Sequence, residues 1–260
     1  MIPGLQNFRD TGGTPLSDGG TTRSGVLYRS EALSGLTADG LAELAGTDIG
    51  VIADFRTTVE RDMAADRLPD SRPFHVVELP LLQGALTGMA QQAPVADDPE
   101  AAQAAIATAP ASLPSLGDLY VSMLGEGAAS FAELARLVAA ATADPPTAVL
   151  VHCTAGKDRT GVAVALLLDA VGAERAAVVE DYSSSAAHLA GPWADRMRAM
   201  VTGMGVPLTP AVDALLTGTP PEAIELALAW IDERGGSAAY LQSGGLTEDE
   251  LAALRNRLAG

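Results

Sequence analysis

Residues 147 to 168 decide the fold class. Thr147-Ala-Val-Leu-Val-His152 is apolar and partly β-branched, Cys153-Thr-Ala-Gly-Lys-Asp158 is built of small and polar residues, and Arg159 opens a second apolar run through Val162-Ala-Val-Ala-Leu-Leu-Leu168. A buried strand that passes through a glycine-containing loop into a helix is the unit from which parallel α/β sheets are assembled. It also predicts a site, because open α/β sheets keep their ligands at the carboxyl ends of the strands.

Three further runs read as strands by the same criterion, at 25–29, 49–55 and 74–79. Helical spacing follows Thr37, a cap candidate, and recurs over 130–141, from Arg159 to about Ala170, over 221–234 and over 247–258. The expectation is one α/β domain over 1–260, with a central, mostly parallel sheet flanked by helices and a helical second half. Pro94, Pro99, Pro110 and Pro114 interrupt a stretch without period, so 84–116 is expected to be an irregular excursion. Residues 183–217, with Trp193, Met197, Met200 and Met204, are expected either to pack on the core or to form a helical lid.

Charge limits the partners. With 16 Lys and Arg against 33 Asp and Glu the net charge is −17, a field that repels polyanions and speaks against nucleic acid and against stable docking on an anionic membrane. The first residues carry no basic head and apolar core of a secretory signal, which leads to the expectation of a cytoplasmic protein. One cysteine in 260 residues forms no internal disulfide. The three histidines, among them His75 and His188, have no companions at metal-ligand spacing, so no metal and no cofactor is expected.

The loop itself suggests chemistry. A strand end, a tight loop and a helix start aim successive backbone N–H groups at one point, which makes an anion nest reinforced by the helix dipole. Cys153 lies inside that nest, in a field that favours the nucleophilic thiolate. Arg159 supplies a planar fork able to hold two oxygens of a phosphoryl group and to stabilise the charge that builds on them. The alternative for Cys153, a small buried hydrophobe, leaves the surrounding His152, Gly156, Arg159 and Thr160 without a reason.

Cys153, five residues, Arg159 and then Thr160 resemble the signature of cysteine-dependent protein phosphatases, and the fuller stretch from His152 to Gly161 is similar to the PtpB-type bacterial phosphatases. Asn7-Phe-Arg-Asp10, Tyr28-Arg-Ser-Glu31, Ala53-Asp-Phe-Arg-Thr57, Glu180-Asp-Tyr182 and the tail from Gly235 to Leu241 resemble pieces of that family in order. The resemblance implies covalent catalysis without a metal: Cys153 attacks phosphorus, a cysteinyl-phosphate forms and water releases phosphate. It implies a cradle of Thr154, Ala155, Gly156, Lys157 and Thr160 around the phosphate, with His152 holding the cysteine backbone. Substrates would be a phosphorylated protein or a phosphoinositide, and Lys157 would suit a substrate with more than one phosphate.

For the general acid, the Trp-Pro-Asp tripeptide of the best-known tyrosine phosphatases does not occur, and Gly191-Pro-Trp-Ala-Asp195 lies downstream with an extra residue. Asp158, beside Arg159, is the expected acid, with Asp118 as the other candidate. Arg9, Asp54 and Arg56 are expected in ion pairs and turn caps, and Asp97-Asp98 as a solvated pair. Two other readings are weaker: a phospho-ligand binding module without turnover, against which stand Cys153 and Arg159, both present, and a sulfur-transfer enzyme with a similar loop, which the His152-Cys153 and Arg159-Thr-Gly161 context disfavours.

Overall fold

In a computed structural model, which describes residues 2–82, 114–141 and 147–259, five strands form one sheet: β1 (Arg9–Asp10), β2 (Leu27–Ser30), β3 (Ile49–Asp54), β4 (His75–Glu78) and β5 (Ala148–His152). Their spatial order is β1-β2-β5-β3-β4, and only the β1–β2 pair is antiparallel. β5 is central and buried along its whole length, which is why it reads as an unbroken apolar run. Val149 and Val151 enter the larger core, while Leu150 enters a smaller one on the opposite face, the alternation a pleated strand imposes.

The smaller core joins Ile49, Ile52 and Leu150 to Ile2, Leu5, Leu33, Leu36 and Leu44, the last from α1 (Ala38–Ala45). The larger core is capped by the helical layer: α3 (Leu116–Ala139), α4 (Arg159–Ala170), α5 (Arg175–His188), α8 (Pro221–Asp232), α9 (Gly236–Ser243) and α10 (Glu248–Leu258). Two-sided cover is what a mostly parallel sheet requires, and each fully buried leucine of these layers contributes about 1.5–3 kcal/mol. α2 (Thr58–Met63) follows β3 and carries a capping box in which the Thr57 side chain accepts from Glu60 N–H while the Glu60 carboxylate accepts from Thr57 N–H. Among the described residues, no helix is long and apolar enough to cross a membrane.

β2 to β5 lie within two residues of where the sequence places them, β1 is a two-residue strand the sequence reading does not place, and α3 differs. Its expected start near Ser130 moves to Leu116, with Ser115 as the cap. Gly117, Gly125 and Gly127 weaken its helical signal, and packing explains two of them. A Cβ on Gly117 would stand 2.7 Å from Leu226 Cδ2 of α8, and one on Gly127 would stand 2.9 Å from the Phe131 ring. Of the excursion expected over 84–116, only 114–116 is described, and there Leu116 already belongs to α3.

Residues 183–217 comprise the end of α5, then α6 (Pro192–Gly203) and α7 (Pro210–Thr217). Val201, Val212 and Leu216 form a small apolar cluster of their own, while Leu215 enters the larger core. The start of α6 reaches the loop after β5: Trp193 and Ala194 pack with Leu189 and Ala155.

Candidate active site

β5 delivers Cys153 to the end of the sheet, where the thiol is buried. The loop after it is held from outside by its carbonyls. Thr154 O accepts from Ala32 N–H at 3.2 Å, Ala155 O and Gly156 O each accept from Asn7 Nδ2 at 3.1 Å, and Gly156 O also accepts from Arg29 Nη2 at 2.8 Å. With the carbonyls turned outward, the amides from Thr154 to Asp158 have no partner among the described residues. Gly156 makes the turn possible with φ at +68°, and a Cβ there would lie 2.2 Å from Ser30 O. Unpaired buried amides are costly unless an anion fills the nest they line.

Three of the motif fragments, at 7–10, 28–31 and 180–182, converge on this outer face. Glu31 Oε2 accepts from Asn7 N–H at 2.9 Å and fixes the residue that fastens the loop. Arg29 pairs with Asp181 of α5, and Arg9 Nε donates to the same carboxylate at 2.8 Å. Burial pushes Asp181 up, but the charges of Arg29 and Arg9 hold it below the ordinary carboxylate range. Arg9 is lowered to about 10 by burial and by Arg29.

Arg159 opens α4 and is nearly buried. Its Nη1 donates to Glu60 Oε2 at 2.8 Å and its Nη2 to Glu60 Oε1 at 2.6 Å, a bidentate pair, and Thr154 Oγ1 donates to Glu60 Oε1 at 2.6 Å. Burial pushes Glu60 up, yet the bonds from Arg159 and Thr154 bring it down to about 2. Burial pushes Arg159 down, yet Glu60 and the charge of Cys153 raise it above its ordinary value, so the cation persists at every working pH. One donor stays unused: Arg159 Nε is buried without a partner, as is Thr160 Oγ1 one residue on. A buried guanidinium N–H beside a nest of free amides fits an oxyanion.

Asp158 stands at the N-cap of α4, where aspartate usually caps, and makes no cap bond. Instead its Oδ1 accepts from Tyr120 Oη at 2.7 Å and from Lys157 Nζ at 2.8 Å. Tyr120 and Tyr182 hydroxyls lie 2.8 Å apart, and burial raises both phenols far enough to keep them neutral. Lys157 is 1% exposed, and its ammonium also donates to Leu215 O at 2.9 Å and Gly218 O at 3.2 Å. Its donors are thereby engaged inside the protein, by Asp158 and two carbonyls, where the sequence reading expects a second cation beside the cradle. Asp118 forms a capping box with Ser115, and Asp195 is an exposed residue paired with Arg198 at 3.3 Å.

His152 is fully buried, its Nδ1 3.3 Å from Cys153 O and its Nε2 3.3 Å from Asp66 Oδ2. Asp54, Asp66 and His152 present ligand atoms within 4.8 Å of one another. Arg56 occupies that group, donating through Nη2 to Asp54 Oδ2 at 2.8 Å and to Asp66 Oδ2 at 2.7 Å, which makes it an ion network rather than a cation site. The ion pairs expected for Arg9, Asp54 and Arg56 are therefore present.

The whole sequence around this cysteine and its bidentately held arginine matches one family: residues 1–260 fit the description "Tyrosine phosphatase family". The chain belongs to that family. Its activity is that of a cysteine-dependent protein-tyrosine phosphatase. It is similar to the triple specificity protein phosphatase PtpB of Mycobacterium tuberculosis, 31% identical over 100% of this chain and 98% of the relative. A tyrosine-protein phosphatase of Nostoc commune is 34% identical over 55% of this chain and 49% of its own. A crystal structure of P. aeruginosa TpbA in complex with pTyr covers 79% of this chain and 87% of its own, at 18% identity and a TM-score of 0.35.

Three residues of this phosphatase site escaped the sequence reading. Glu60 announces itself as the last residue of a Thr57-x-x-Glu60 capping box, but its grip on Arg159 needs the fold. Tyr120 is hidden in a helix with a weak signal. Asp66 has no local signal, since its partners His152 and Arg56 meet it only in three dimensions.

Proposed function

We propose that Cys153, Arg159 and Asp158 carry out a two-step phosphoryl transfer in this tyrosine phosphatase. Cys153 Sγ attacks phosphorus as the bond to the tyrosyl oxygen breaks, and Asp158 gives that oxygen its proton. Water then attacks the cysteinyl-phosphate, Asp158 takes the proton, the S–P bond breaks and phosphate leaves with the thiolate restored. Charge on the equatorial oxygens is met by the loop amides and by Arg159, whose unpaired Nε is the observation that carries this reading. Thr160 Oγ1, also unpaired, serves the thiolate when phosphate departs. No metal takes part in these steps.

Phosphotyrosine is favoured over phosphoinositide as substrate, because the extra cation a polyphosphorylated headgroup calls for is engaged by Asp158, Leu215 O and Gly218 O. The test is phosphate release in EDTA from a phosphotyrosine peptide and from short-chain phosphoinositides. Wild type is expected to release phosphate, Cys153→Ser to release none while still binding inorganic phosphate, and Asp158→Asn to lose roughly a hundredfold in kcat. Absence of release from every substrate would overturn the reading and leave a phospho-ligand binding module.

A further inference from the structure

The Lys157 side chain has an unusual set of acceptors. A buried ammonium needs each of its donors satisfied, and here one faces Asp158 while two face carbonyls at the carboxyl end of α7. Leu215 O lies in the last turn of that helix and Gly218 O is its C-cap, where unpaired carbonyls and the helix dipole favour a cation. The next residue, Thr219, is tied to α5 by its hydroxyl, which donates to Ser183 O at 2.8 Å and accepts from Ala186 N–H at 3.2 Å. The carboxyl end of α7 is thus a fixed point from which the ammonium reaches back to the loop.

We propose that Lys157 is a positioning residue which couples the carboxyl end of α7 to Asp158, so that the α6–α7 pair sets the orientation of the acid. The reading rests on the role proposed above for Asp158. Two donors, Tyr120 Oη and Lys157 Nζ, both bind Oδ1, which fixes the carboxyl plane and leaves Oδ2 for the leaving oxygen. Tyr120 reaches it from α3 in the main helical layer, whereas Lys157 ties it to α7. Release of α7 would therefore remove one of the two restraints and leave the other. A substrate phosphate competing for Lys157 would have to strip Leu215 O, Gly218 O and Asp158 of a shared donor, which is why positioning rather than headgroup binding is assigned to it.

A proton donor matters most when the leaving oxygen is basic, so the readout is the dependence of kcat on leaving-group pKa. Lys157→Met is compared with wild type on a series of aryl phosphates from nitrophenyl to unsubstituted phenyl and on a short phosphotyrosine peptide. The expected result is a loss that grows along the series to roughly tenfold or more, an unchanged KM, and no further loss when Lys157→Met is added to Asp158→Asn. Phosphate affinity in the Cys153→Ser background is expected to stay the same with Lys157→Met. Proteolysis in the 204–209 connection between α6 and α7 is expected to quicken.

The same loss for every leaving group, full additivity with Asp158→Asn, or weaker phosphate binding would overturn the proposal, as would a KM rise confined to bisphosphorylated substrates. Unchanged proteolysis would overturn the link to α7. If Lys157→Met does not fold, Lys157→Gln, which keeps a donor for the carbonyls but no charge for Asp158, is read on the same series. An inactive wild type would instead overturn the enzymatic reading itself, and the two failures are distinguishable.

Discussion

The loop that carries Cys153 meets two unlike neighbours. On its outer face Asn7, Arg29, Glu31 and Asp181 form a buried polar network rooted in β2 and α5, all within the body of the molecule. On the other flank lies the α6–α7 pair, with small apolar clusters of its own and with Met204 and Leu208 exposed. The first neighbour supplies firm geometry, because Asn7 is fixed by Glu31, Arg29 is paired with Asp181, and both donate to the loop's carbonyls. The second holds the loop through Trp193 against Ala155 and through one ammonium. The loop is thus fastened on one side by a polar network and on the other by one aromatic contact and one ammonium.

The sharpest way to break the rigid side is Gly156→Ala. Its Cβ would meet Ser30 O at 2.2 Å at a positive φ, so the loop must leave β2, and kcat/KM is expected to fall at least about a hundredfold with a lower melting temperature. Next comes Glu60→Gln, expected to cost roughly tenfold in kcat by freeing Arg159 to turn. Glu60 is held at about 2 in the folded protein against an ordinary value of 4.5, so its stabilisation is complete above 4.5 and is lost as pH falls toward 2. Urea denaturation across that window is expected to lose part of its pH dependence in the Gln variant.

A pair of truncations sharpens the contrast in stability. Leu167→Ala, in the larger core, is expected to cost about 2–5 kcal/mol in chemical denaturation. Val212→Ala, in the cluster under α6 and α7, is expected to cost less globally and to raise hydrogen exchange chiefly within those helices. The smallest effect is expected for Arg198→Ala: its ion pair with Asp213 is solvated, and the denaturation midpoint should match wild type.

Where local chemistry fixes local structure, the sequence was legible. β5, the loop and α4 follow from an apolar run, a glycine and a second apolar run, and Cys153 with Arg159 stands out because no packing role needs that spacing. α3 is half hidden because the glycines at 117 and 127 are packed against residues far away in the sequence, Leu226 and Leu81. Lys157 reads differently in sequence and in space for a related reason. Its neighbours in sequence suggested a phosphate, while its acceptors, 58 and 61 positions away, decide its place. The charge partner of Arg159 lies 99 positions upstream, so no spacing rule could connect them.

The strand order carries a consequence for how such a chain comes into being. β1 pairs with β2 and β3 with β4, but the two pairs are joined only by β5, which is the last strand in the sequence. Until residue 152 has been made, the strand that joins the two pairs is missing and each pair is left as an open-edged two-stranded unit that is marginal by itself, and the nucleophile follows one residue later. Biosynthesis thus couples closure of the sheet to arrival of the reactive thiol, and before that moment there is an aggregation risk but no enzyme.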